Sequence, residues 1–168
     1  ASSAASDVYK RQISYSSDSY ADAVTNITNS TMKNTLDTWY KNNLTSYASY
    51  LADETFCNDR SISSGTGYLT TPATFYGTYN RNVDRRVPSL KCAQANDKFK
   101  VSNASAKLDY PVALITADEM AMAGGVFDTS NTNYYLYNGQ YQWSLSPGRF
   151  TSNYSDCLLY TSPSPRDT

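Results

Sequence analysis

The chain has 168 residues, with 14 basic and 15 acidic side chains, a net charge of −1 and no histidine. That length suits one domain with a modest core, the missing histidine removes Ser-His-Asp and Cys-His nucleophile systems and every His-ligated metal site, and near-neutrality gives no general pull toward nucleic acid or an anionic membrane. No apolar run approaches the ~20 residues of a bilayer span, and charged residues, at 17%, fall below the roughly 25% usual for soluble domains.

Sixteen tyrosines, with serine, threonine and asparagine, take up the difference. This is the composition expected of an extracellular surface domain. Both ends read as foreign to it. Asp7–Gln12 back-translates to a DNA word whose reverse complement, read one base in, encodes Cys157–Thr161 and opens Ser162. The word resembles the transposon end used to prepare sequencing libraries, so residues 1–12 and 157–168 are expected to be adapter-derived. The remaining Ile13–Asp156 loses Lys10, Arg11, Arg166, Asp7 and Asp167, leaving 11 basic and 13 acidic side chains and two cysteines, Cys57 and Cys92.

Residues 13–30 read as an irregular, polar lead-in, and 31–156 as a single module, truncated at its C-terminal end. Met32, Leu36, Trp39, Tyr40 and Leu44 recur at helical spacing, and Tyr47, Tyr50 and Leu51 continue it, predicting two helices or one bent helix over 31–53. Asn29 or Ser30 is the expected cap. Ser63–Gly67 predicts a turn, Thr74–Tyr79 and Val87–Cys92 short strands, and 96–109 a polar surface loop. Tyr110–Ile115 is an apolar run fit for a buried strand. Thr116-Ala117-Asp118-Glu119 is a capping box, opening a short helix that Gly124-Gly125 closes. Asn138-Gly139 predicts a two-residue hairpin turn. Its register would set Leu136 and Tyr134 against Tyr141 and Trp143 on one face, and Tyr137 and Tyr135 against Gln140 and Gln142 on the other.

Several runs, taken together, carry a resemblance. They are Leu36-Asp37-x-Trp39-Tyr40, Phe56-Cys57-Asn58-Asp59-Arg60-Ser61, Leu90-Lys91-Cys92, Tyr110-Pro111-Val112-x-Leu114-Ile115-Thr116-x-Asp118-Glu119, Ala123-Gly124-Gly125, Tyr134-Tyr135-Leu136-Tyr137 and Trp143-Ser144-x-Ser146-Pro147. In this order, over nearly all of 30–150, the chain resembles an uncharacterised module of large surface proteins from gut-dwelling Gram-positive bacteria. Such modules are distantly similar to formylglycine-generating (sulfatase-modifying) and C-type-lectin-like folds. The resemblance implies an α+β domain with N-terminal helices beside a twisted, partly irregular antiparallel sheet, and a terminal strand like Gly-Val-Arg-Pro-Val that is missing here.

The chemistry-bearing residues give few sites. Cys57 and Cys92 admit a disulfide, a metal pair, a redox couple or two buried thiols. With no third ligand for zinc and no Cys-x-x-Cys spacing, the disulfide is favoured, constraining the unfolded chain by about 4 kcal/mol. Formylglycine-generating enzymes use a copper-bound cysteine pair late in their fold, which no residue between Cys92 and Asp156 supplies. Asp53-Glu54 and Asp118-Glu119 are paired carboxylates of the kind glycoside hydrolysis uses, but Asp118-Glu119 is better explained by helix capping. Asp59-Arg60 is a candidate internal ion pair. The Glu-Pro-Asn, Gln-Pro-Asp and Trp-Asn-Asp tripeptides of calcium lectins are absent. Arg81, Arg85, Arg86 and Lys91 form a modest basic cluster, interrupted by Asp84 and read as a solvated loop. Five Asn-x-Ser/Thr sequons, at Asn26, Asn29, Asn43, Asn103 and Asn153, follow from the composition.

The remaining candidate is the hairpin face of Tyr135, Tyr137, Gln140 and Gln142, aromatic area edged by amides as in binding loops. The expected function is therefore a non-enzymatic adhesion or recognition module on a bacterial surface or secreted. Its expected partner is a glycan or a host or cell-surface protein, with no cofactor, nucleic acid or direct membrane insertion. A structural spacer or capping domain is the alternative, and a formylglycine-generating-type enzyme the third reading.

Overall fold

In the computed structural model, residues 26, 29–66, 73–126, 129, 131–137, 142–150 and 155–160 are described, the last two segments mainly as backbone. They form an α+β chain divided into two compact units interleaved in sequence. The first takes the chain up to Asn58 and Cys92–Leu114, the second Asp59–Lys91 and the chain from Ile115 onward. Among the described residues no helix is long and apolar enough to cross a membrane.

The first unit opens with helix α1, Thr31–Asn43, capped by Ser30, whose Oγ accepts from the Lys33 N–H at 3.1 Å. A six-residue 3₁₀ helix, Thr45–Tyr50, continues it, as the bent-helix expectation required. The face turned inward takes in most of the predicted stripe, with Met32, Leu36 and Leu44 half-buried, and adds two charged residues. Lys33, Asp37 and Tyr40 are buried, whereas Trp39 stands exposed. Lys33 and Asp37 make this possible by pairing with each other, one helical turn apart. The Lys33 Nζ also reaches the Tyr110 and Val112 carbonyls at 3.4 and 3.3 Å. Tyr40 packs on Tyr110 with ring centroids 5.3 Å apart.

Strand β1, Phe56–Cys57, pairs antiparallel with β4, Lys98–Phe99. Cys57 is bonded to Cys92. Residues 96–109 are not the surface loop their polarity suggests: Phe99, Ala106 and Leu108 are core residues, and the segment folds back through Lys100 N–H to Ala106 O and Leu108 N–H to Lys100 O. Tyr110–Ile115, expected as a strand, is irregular and only half-buried. Its Tyr110 and Val112 carbonyls serve Lys33, and only the Ile115 carbonyl meets a strand, accepting the Leu145 N–H at 2.8 Å.

The second unit holds a four-stranded antiparallel sheet in the order β2-β3-β5-β6. These are β2 Ile62–Ser64, β3 Thr74–Tyr76, β5 Gln142–Phe150 and β6 Ser155–Tyr160. The predicted turn after Ser64 is present at Gly65, where φ is +88° and a Cβ would stand 2.6 Å from the Thr74 Cα. Of the strand expected over Thr74–Tyr79 only β3 forms. The chain then coils through α2, Gly77–Tyr79, into a π-helix, Asn80–Asp84. Val87–Cys92 forms no strand. The β5–β6 register shifts on both sides of Pro147, which has no N–H to donate and so belongs at a bulge.

Helix α3, Ala117–Met122, keeps the whole predicted capping box. Thr116 Oγ1 accepts from the Glu119 N–H, and the Glu119 carboxylate accepts from the Thr116 N–H at 2.8 Å. Ser146 on β5 accepts the next orphan donor, the Ala117 N–H, at 2.9 Å. At the far end Gly124, at φ +103°, allows Gly125 N–H to reach Met120 O and Gly124 N–H to reach Ala121 O, the paired bonds of a Schellman closure. Ala117, Met120 and Tyr134 form the local core, flanked by Tyr79, Val83, Ile115, Leu136 and Tyr137.

The predicted hairpin arm is not formed. Residues 131–137 make successive turns, with Tyr134 N–H on Asn131 O and Tyr137 N–H on Tyr134 O. Tyr134 and Tyr137 are drawn into the α3 core, which a strand alternating its faces would not permit. Asn138, Gly139, Gln140 and Tyr141 lie outside the described residues, as do the lead-in before residue 26 and the adapter-like end 1–12. Of 157–168, the described part supplies backbone to β6.

Removing the cross-link, by Cys57→Ser or by reduction, is expected to lower the unfolding free energy by about 3–4 kcal/mol for a loop of this span. Urea titration with and without reductant measures it. Equal midpoints would show that the bond does not constrain the unfolded chain.

Candidate functional site

The densest polar constellation lies in the second unit, around Asp118. Position 118 falls in the first turn of α3, where the capping box fixes the backbone and points the carboxylate into the protein, its side chain only 7% exposed. A buried carboxylate has to be met by donors, and four arrive. Arg81 approaches bidentately, Nε to Oδ1 at 3.1 Å and Nη2 to Oδ2 at 2.8 Å. Asn82 Nδ2 and the Ser89 N–H reach Oδ1 at 3.1 and 2.8 Å. The π-helix supplies both Arg81 and Asn82, its wider turn letting consecutive residues face one carboxylate.

Arg81 is shared with a second acid. Its Nη1 donates to Asp59 Oδ2 at 2.7 Å, and Nη2 adds Thr78 Oγ1 at 3.3 Å. Asp59 Oδ1 accepts the Ser61 N–H at 3.0 Å. Gly77 leaves room for this crossing: a Cβ there would stand 2.5 Å from Ser61 Oγ and 3.4 Å from Arg81 Nη1. The hydrogen bonds Arg81 donates to Asp118 raise its pKa above the ordinary value, against the effect of burial and with further help from Asp59. Burial works against the charge on Asp59, but the hydrogen bonds from Ser61 and Arg81 outweigh it and hold the pKa below the usual carboxylate value. Asn82 Oδ1 is buried without a hydrogen-bond partner.

Several expectations are corrected here. Asp59 pairs with Arg81. Asp118 is the acceptor of a buried network, while Glu119 alone does the capping. Arg81 leaves the basic cluster for the interior, and Arg85, Arg86 and Lys91 remain exposed. The Asp53 carboxylate accepts the Val101 and Ser102 N–H groups at 2.8 and 3.0 Å, a loop-ordering role. Among the described residues no group of three His, Cys, Asp or Glu is arranged to hold a metal. Chemically, the Asp118 node is a saturated ion-pair network that fastens four segments. All three nitrogens of its guanidinium donate to these carboxylates.

Two of the four candidate binding residues have described side chains. Tyr135 projects from the turns with 88% of its surface exposed. Tyr137, two residues on, packs against the α3 core. Nothing is described for the side chain of Gln142, and Gln140 lies outside the described residues. Burial pushes the Tyr134 hydroxyl pKa up, and that hydroxyl has no partner.

Arg81→Leu, which strands Asp118, is expected to cost about 3 kcal/mol or more, with part recovered in Arg81→Leu/Asp118→Leu, because the buried charge goes with its partner. Urea denaturation of both variants tests this, and a double variant worse than the sum of singles would refute it. For Asp59 the depressed folded pKa means a contribution present above the ordinary value of 3.8 and lost as pH falls through the lower folded one. Stability should therefore drop more steeply in the wild type than in Asp59→Asn between about pH 5 and pH 3.

Comparison with known proteins returns no matching family model, no matching curated protein and no matching solved structure.

Proposed function

We propose that the chain is a non-enzymatic recognition module of an extracellular bacterial surface protein, of C-type-lectin-like or sulfatase-modifying-factor-like fold, contacting a glycan or a protein on a host or neighbouring cell. The observation that carries this reading is Tyr135, almost fully exposed beside a turn whose neighbours Tyr134 and Tyr137 are anchored in the core. An aromatic ring held out on a rigid base offers contact area at low entropy cost. The Cys57–Cys92 bond supports an oxidising compartment. The charged groups that catalysis would draw on, Asp59, Arg81 and Asp118, are bound to one another, and Asp53 and Glu119 hold loop and helix-end N–H groups.

The test is binding of the full chain to an array of host glycans, mucins and cell-surface proteins. Tyr135→Ala is expected to weaken capture about tenfold, the loss of one aromatic anchor, with Tyr135→Phe close to wild type. No capture on any element of the array would favour a structural spacer.

A further inference from the structure

The segment that leads out of the π-helix, Arg85 to Lys91, is held unlike the rest of the second unit. None of its residues is buried, Pro88 and Ser89 are half-buried, and it forms neither helix nor strand. Arg86 takes a φ of +55°, left-handed backbone that a residue with a long side chain adopts only under strain. The Arg85 N–H donates to Asn80 O at 3.0 Å, the Val87 N–H to Arg81 O at 2.9 Å and the Ser89 N–H to Asp118 Oδ1 at 2.8 Å. Lifting Arg85, Arg86 and Val87 outward therefore uncovers no core side chain of their own, trades backbone bonds for bonds to water, and relaxes Arg86. A segment of this kind opens locally at low free energy, before the chain unfolds.

We propose that the Arg86–Val87 peptide bond is a processing site for an arginine-directed endopeptidase, which divides the chain into two pieces that the Cys57–Cys92 bond keeps together. Such an enzyme takes the arginine into an acidic specificity pocket and reads the flanking backbone as an extended strand. Water adds across the amide: the C–N bond breaks, Arg86 keeps a carboxylate and Val87 an ammonium. The cut falls between the two cysteines, so residues 1–86 stay bonded to 87–168. Arg81 and Asp118 lie on opposite sides of it, and their ion pair joins the same two pieces.

The other basic residues that are described are better protected. Lys33 and Arg81 are engaged in ion pairs, and Lys41, Lys98 and Arg149 lie within α1, β4 and β5. Lys100 and Lys107 bridge each other. Arg60 is half-buried and is followed by Ser61, whose N–H is held by Asp59 and whose carbonyl accepts the Gly77 N–H at 2.7 Å. Lys91 adjoins the bonded Cys92. The rival use of an exposed arginine is as the bait of a protease inhibitor, but such a loop holds the extended backbone in advance, which φ at Arg86 does not.

Digestion of the full, oxidised chain with trypsin under native conditions tests the assignment, with the first cut between Asn29 and Tyr160 read by amino-terminal sequencing. The expected result is a new terminus beginning Val-Pro-Ser-Leu, one band on a non-reducing gel and two after reduction. Within that span the Arg86–Val87 bond should be cut about tenfold faster than any other, since the rate follows the population of the open segment. Arg86→Gln should abolish this terminus, and Arg86→Lys should open the same bond to a lysine-specific endopeptidase, with near-ultraviolet circular dichroism unaltered in both. The proposal is overturned by a first cut elsewhere in the span, by two bands without reduction, or by resistance of the span until urea unfolds the chain. Stoichiometric inhibition of trypsin with the bond intact overturns it as well.

Discussion

A carboxylate taken out of water has to be neutralised where it sits, and in the second unit that requirement is set by Asp118. The capping box of α3 leaves its side chain no route to solvent, so the chain must bring donors to it. It does so from Thr78–Asn82, from Ser89 and, through Arg81, from Asp59. Three stretches are thereby fixed to the first turn of one short helix. The π-helix, the bare Cα of Gly77 and the lack of any strand over Val87–Cys92 all follow as the backbone geometry that lets those donors converge.

The first unit meets a comparable demand with Lys33 and Asp37 and adds a covalent closure. Cys57 and Cys92 bound the stretch that leaves this unit for the second one and returns. Joining them brings the departing and returning strands to one point, next to the short β1–β4 pair, which two residues on each side would not hold together unaided. Both units share a feature: among the described residues, buried polar side chains are as prominent as apolar ones. Hydrogen-bond matching therefore decides the packing where a larger core would rely on apolar area.

This is also why the sequence was readable in some places and opaque in others. Local signals held. Ser30 caps α1, Thr116 and Glu119 close the capping box, Gly124 ends α3, and the cysteines pair, because each depends on residues a few positions apart or on there being one plausible partner. Signals that equate apolar with inside held only in part. The α1 stripe of Met32, Leu36, Trp39, Tyr40 and Leu44 shares its inward face with Lys33 and Asp37 and leaves Trp39 exposed. Tyr110–Ile115 lent its carbonyls to Lys33, and Tyr134–Tyr137 turned in on the α3 core instead of pairing as a strand. The Arg81–Asp118 contact joins residues 37 positions apart, and nothing in either neighbourhood announces the other. Of the candidate binding residues, Tyr135 is exposed and Tyr137 packs against the α3 core, while the side chains of Gln140 and Gln142 are not described.

The Lys33–Asp37 pair also bears on how this helix can change over descent. Either residue alone in that position is an uncompensated buried charge, whereas an apolar pair of similar volume is close to neutral in stability. The two positions therefore sit on separate peaks divided by a valley, and a lineage crosses it only by replacing both together or after the surrounding carbonyls have moved. A charged, outward-looking sequence at an inward-facing site can thus persist without any ligand to explain it.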